Sequence, residues 1–92
     1  MVAPTRGSAV LESTIQHKNV KVDNLVHIAH GVEIGANSLI IANAMIAGSV
    51  KIGENTWIAP SSSIIQKTTI GDDVIVGLGS VVLKNVDNGN VV

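Results

Sequence analysis

The residues best suited to acid–base chemistry are three histidines and two nearby acids. His27 and His30 flank Ile28, and Glu12 and Gly48 each lie eighteen residues from His30. A carboxylate stacked beneath an exposed imidazole fixes its tautomer and raises its basicity, and a glycine above leaves room for a reacting group. This spacing makes His30 a candidate general base supported by Glu12. The competing assignment is a surface histidine with an incidental neighbour. His17 sits beside the unusual Gln16 and is expected to be a solvated residue of the first coil. A zinc site would need three nitrogens converging at about 2.1 Å. His27 and His30 are only three residues apart and His17 falls on another side, so no metal site is expected. No Ser-His-Asp order stands out, and Gly77-Leu78-Gly79 fits a corner better than a phosphate loop.

Composition narrows the classes further. The chain of 92 residues has no cysteine, which excludes disulfides, Cys–Zn centres and thiol nucleophiles. Six basic and seven acidic residues without a basic run argue against nucleic acid or an anionic membrane as partner. No stretch reaches the roughly 20 apolar residues of a membrane span. Met1 to Val10 lacks the long apolar core of a signal peptide, so a cytoplasmic protein is expected. Ile and Val supply 12 and 14 residues, against five Leu, one Trp and no Phe or Tyr, which favours strands and leaves few bulky groups for a conventional core.

The elements that must position the histidines follow from a period of six. From Val10 to Val82, every sixth residue is Ile or Val except Gln16. Four residues after each comes a small or β-branched residue, such as Val20, Ser38, Thr56 or Val86. Between the columns, the corner position favours Asn, Asp or Gly, which tolerate positive φ. The strings Ile34-Gly35-Ala36-Asn37, Ile52-Gly53-Glu54-Asn55 and Ile70-Gly71-Asp72-Asp73 repeat every eighteen residues. That is one turn of a three-sided coil whose sides are short parallel strands. The fold class expected is all-β: a left-handed parallel β-helix of about five triangular coils. It forms one domain over 1–92, with regular hexads over 10–87. Aromatic residues are scarce because so narrow an interior takes one medium aliphatic and one small residue per side.

Register also sorts the exterior. Leu39, Trp57 and Ile75 share one outward column, with Ile41, Ala42, Pro60, Leu78 and Met45 on the adjoining sides, whereas Lys18, Glu33, Lys51, Glu54 and Asp72 occupy the opposite exterior. A monomer rarely exposes so broad an apolar strip, so an oligomer interface is expected, and a three-sided prism suggests a closed homotrimer. Trp57 marks that interface.

From Val22 through His30 the string Val-Asp-Asn-Leu-Val-His-Ile-Ala-His, continuing to Gly35 and joined by Ile46-Ala47-Gly48-Ser49, resembles the left-handed β-helix acyltransferases. These include the UDP-3-O-acylglucosamine N-acyltransferases and similar sugar O- and N-acetyltransferases. The resemblance implies transfer of an acetyl or longer acyl group from a coenzyme A or acyl-carrier-protein thioester to an amine or hydroxyl of a sugar or nucleotide sugar. No tightly bound cofactor is implied. His30 takes the part of the general base and Asp23 that of its support, paired across a subunit boundary. Asn24, His27, Gly48 and Trp57 become substrate- or donor-binding residues, with a backbone N–H near Gly48 as an oxyanion donor. Three departures accompany it. The 92 residues leave no room for the uridine-recognition domain and C-terminal helices of the lipid A enzyme. Gln66-Lys67 stands where a second histidine is expected, and the chain stops at Val92 without a Gly-Asn-Pro-Ala-like tail. A non-catalytic trimeric scaffold, or a truncated remnant of such an enzyme, is therefore the alternative.

Overall fold

The computed structural model describes residues 13–92 and the strand pairing of residues 9–10. Thirteen two-residue strands among the described residues stack into three parallel sheets. The first sheet contains Ala9–Val10, His27–Ile28, Met45–Ile46, Ser63–Ile64 and Val81–Val82. The second contains Ile15–Gln16, Glu33–Ile34, Lys51–Ile52 and Thr69–Ile70, and the third Lys21–Val22, Leu39–Ile40, Trp57–Ile58 and Ile75–Val76. Each strand pairs with the one eighteen residues away, as in His27↔Met45 and Leu39↔Trp57. The molecule is a parallel β-solenoid.

Each strand pairs one outward residue with one buried residue. The inward column is buried from Gln16 through Val82, and Ile28, Ile34, Ile46 and Ile58 have no measurable exposure. Burying each such side chain contributes about 1.5–3 kcal/mol. The small column completes the interior, and its hydroxyls have a second role. Ser38 Oγ donates to the Gly53 carbonyl at 2.7 Å, Thr56 Oγ1 to Gly71 at 2.8 Å and Ser62 Oγ to Gly77 at 3.0 Å. Each hydroxyl thus ties its corner to the next coil and leaves no buried polar orphan.

Corner geometry follows the period as well. Asn19, Asn37, Asn43, Asn55 and Asp73 adopt positive φ, as do Gly31 and Gly79. The same conformation occurs at Ser13, Leu25, Ser49, Ser61 and Lys67, where residue type gives little warning. The repeat imposes the left-handed corner even where the side chain does not favour it. At Gly35 and Gly53 the demand is steric rather than conformational. An added Cβ would lie 2.5 Å from the Gly53 carbonyl carbon in the first case and 2.6 Å from that of Gly71 in the second.

Two expectations need correction. Thirteen strands in sheets of five, four and four make a little over four turns rather than about five. The eighteen-residue register also ends at Val82, short of Asp87. Beyond it Ile70 bridges Val86 and Ile75 bridges Val91, sixteen residues apart in each case. Val86, read as a member of the small column, therefore takes the place next to Ile70 and is buried, and Asn85 does not adopt positive φ. The Asn85 side chain shortens this corner by accepting the Thr69 N–H at 2.9 Å.

Candidate functional site

His30 is exposed on the corner that follows the first sheet. Its carbonyl oxygen accepts the Ser49 N–H at 2.9 Å, which sets Gly48 one coil above. A Cβ on Gly48 would meet only the His30 carbonyl oxygen, at 3.6 Å, so the space above that corner is open. Among the described residues the Gly48 N–H has no backbone acceptor, whereas its carbonyl accepts the Lys67 N–H at 2.9 Å. His27 is exposed on the strand just before, level with Met45 in the next coil. Glu12 lies outside the described residues.

Asp23 and Asn24 occupy a different corner, the one between the third and first sheets. The Asn24 N–H donates to Asp23 Oδ1 at 2.8 Å, and the Asn24 carbonyl accepts the Asn43 N–H at 3.1 Å. One corner of the coil thus carries Asp23 and Asn24, and the corner before the next sheet carries His30. Trp57 lies half exposed on the third sheet between Leu39 and Ile75. The candidate residues therefore divide among three regions of one prism. Met45, Trp57, Ile65, Ile75, Leu78 and Val81 form the exposed apolar exterior that register indicates.

The histidine with a visible carboxylate partner is His17. Its Nε2 lies 2.8 Å from Glu33 Oε2, with both side chains nearly half exposed. The pair borders an open groove of about 770 Å³ on the second sheet, floored by Gly35, Gly53 and Gly71 and flanked by Lys18, Lys51, Glu54 and Asp72. His17 is therefore paired rather than simply solvated. The pairing is legible in register once it is read diagonally, because Gly35 stacks on His17 and Glu33 stands two residues before Gly35. Among the described residues no three His, Cys, Asp or Glu side chains converge as metal ligands.

Comparison with known proteins agrees with the solenoid and with the acyltransferase resemblance. Residues 49–84 match the bacterial transferase hexapeptide (six repeats) family model. Over 40 residues, 44% of this chain, the sequence is 52% identical to a UDP-3-O-acylglucosamine N-acyltransferase of Campylobacter lari. A relative of the same name from Rickettsia akari is 54% identical over 43 residues. Each match spans 12% of the relative's own length. Among solved structures, the acetyltransferase domain of PglB from Neisseria gonorrhoeae superposes with a TM-score of 0.76 at 21% identity, covering 92% of this chain and 50% of that one. PerB from Caulobacter crescentus, solved with CoA and GDP-perosamine, gives 0.53 at 24% identity, covering 88% and 51%. At these identities the structural likeness establishes the fold. The chain is a hexapeptide-repeat β-solenoid similar to sugar acyltransferases, and residues 49–84 carry the bacterial transferase hexapeptide repeat.

Proposed function

We propose that the chain acts as an acyltransferase, moving an acetyl or longer acyl group from a coenzyme A or acyl-carrier-protein thioester to an amine or hydroxyl of a sugar or nucleotide sugar. The observation that carries this reading is the corner where an exposed His30 lies under Gly48, within a string resembling the acyltransferases. The names of the relatives and the CoA bound to the structural neighbours support the same substrate classes. In this reading a His30 ring nitrogen removes the acceptor proton as the acceptor nitrogen or oxygen attacks the thioester carbonyl. The Gly48 N–H, free of a backbone acceptor among the described residues, donates to the tetrahedral oxyanion. Collapse of that intermediate breaks the C–S bond, and the imidazolium returns its proton to the departing thiolate.

Asp23 and Glu12 support the imidazole, while Asn24, His27 and Trp57 contact substrate or donor. Because Asp23 and His30 lie on different corners of one coil, the Asp23 contribution comes from another subunit. The apolar exterior is the matching interface, closed as a homotrimer, and the protein works in the cytoplasm. No helix among the described residues is long and apolar enough to cross a membrane. Isothermal titration with acetyl-CoA, on the wild-type chain and on His30→Ala, tests this reading. Saturable binding to both, with turnover only in the wild type, is expected. A folded chain that binds no thioester donor would instead be the non-catalytic scaffold.

A further inference from the structure

We propose that Asn55, Trp57 and Asp73 form a subsite for a single pyranose ring, with an amino sugar as the preferred occupant. The inference rests on the transferase reading and names the part of the acceptor that this chain grips. Trp57 is half exposed on the third sheet, directly below Ile75 in the next coil. Beside them is a hollow of about 320 Å³ lined by Asn55, Trp57, Asp73 and Ile75. That volume is at the small end of ligand pockets, which run from about 300 to 1,000 Å³, and suits one ring rather than a nucleotide.

The corner column holding the polar pair makes the contrast visible. Asn19, Asn37, Asn55 and Asp73 stack at the same position of successive coils, all with positive φ. Asn19 Nδ2 donates to Asn37 Oδ1 at 3.1 Å, so the lower two side chains satisfy each other. Among the described residues no side-chain hydrogen bond joins Asn55 to Asp73 or occupies either group. An amide and a carboxylate are thus held without partners beside the chain's sole aromatic residue. An indole face takes the apolar C–H face of a pyranose, and the amide and carboxylate meet its hydroxyls.

Charge chooses among flat ligands. Asp73 follows Asp72, and Glu54 precedes Asn55, so a phosphate near this hollow meets like charge, whereas a protonated amine finds a carboxylate. The occupant is therefore a neutral or cationic ring rather than the phosphate end of a nucleotide sugar. Trp57 and His30 lie on different sides of one prism, so one acceptor touching both bridges two copies.

The single tryptophan makes the test direct, because its emission reports this hollow alone. The full chain is titrated with glucosamine, glucose and uridine monophosphate. A saturable emission change with glucosamine, weaker with glucose and absent with uridine monophosphate, is expected. Asp73→Asn keeps the corner conformation and weakens glucosamine at least tenfold, removing its advantage over glucose. Asn55→Gly also tolerates the corner and weakens both sugars. No saturable response to either sugar, an equal response to uridine monophosphate, or sugar affinities unchanged in both variants would overturn the proposal. So would an indole already shielded by a second copy and unmoved by sugars. Acetyl-CoA titration separates the two claims. Donor binding without a sugar response removes only the subsite, and a sugar response without donor binding removes only the transferase.

Discussion

The backbone N–H of Ser49 donates to the carbonyl oxygen of His30 across 2.9 Å, and that bond sets Gly48 over the histidine corner. The pairing belongs to the coil-to-coil ladder, so the rigid scaffold itself sets the spacing between candidate base and candidate oxyanion donor. A Cβ on Gly48 meets nothing closer than 3.6 Å. Gly48→Ala is therefore expected to keep stability within about 0.5 kcal/mol in urea unfolding. Turnover falls all the same, because the methyl group crowds the space above the imidazole. A large loss of stability would show that the glycine serves packing.

The glycine column on the second sheet behaves in the opposite way. In Gly53→Ala the new methyl carbon would lie 2.6 Å from the Gly71 carbonyl carbon, and backbone on both sides of the contact has little freedom to shift. A loss of at least 3 kcal/mol is expected, on the order of the most disruptive overpacking changes. Comparing the urea midpoints of Gly53→Ala and Gly48→Ala separates the steric role from the functional one.

The buried hydroxyls supply a third expectation. Thr56 Oγ1 donates to the Gly71 carbonyl at 2.8 Å inside the prism, at a position with no measurable exposure. Thr56→Val keeps the shape but leaves that carbonyl without its donor, which costs about 1–3 kcal/mol. An unchanged unfolding free energy would mean that the coil relaxes to satisfy the carbonyl in another way.

These hydroxyls show what could be read from sequence and what could not. The six-residue period revealed the inward columns because a narrow triangular interior accepts so few residue types. Ser38, Thr56 and Ser62 were visible as small residues, yet period alone did not show that their hydroxyls reach the carbonyl fifteen residues ahead. Val86 was misplaced for a related reason. Its residue type fits both inward columns, and the side-chain bond from Asn85 to Thr69 that shortens the corner leaves no trace in hydropathy. At the candidate site, the stacking of Gly48 over His30 follows directly from the eighteen-residue repeat. The His17–Glu33 contact runs diagonally between coils and escaped a search along columns.

Gln16 is the one interruption of the aliphatic inward column, and its side-chain amide is buried with neither polar atom hydrogen-bonded among the described residues. Burying an amide without partners costs about 1–3 kcal/mol. Gln16→Ile restores the column and is expected to raise the unfolding free energy by a similar amount. A destabilised variant would show that the amide has a partner outside the described residues.

The His17–Glu33 pair should contribute little to stability despite its short contact. Both side chains are nearly half exposed, and such pairs are typically worth about 0.2–1 kcal/mol and are screened by salt. Glu33→Gln should lower stability by no more than this at low ionic strength, with the difference vanishing in 1 M salt. A larger, salt-independent loss would point to a structural role for the groove wall.

The most direct test of the central claim is the rate of thiol release from acetyl-CoA with an amino-sugar acceptor, measured for the wild-type chain, His30→Gln and His17→Gln. General-base catalysis by a positioned histidine is worth about 10²–10⁴-fold. The account predicts a loss in that range for His30→Gln with acetyl-CoA affinity unchanged, and near-normal turnover for His17→Gln. Equal turnover in His30→Gln and the wild type, or a loss confined to His17→Gln, would contradict it.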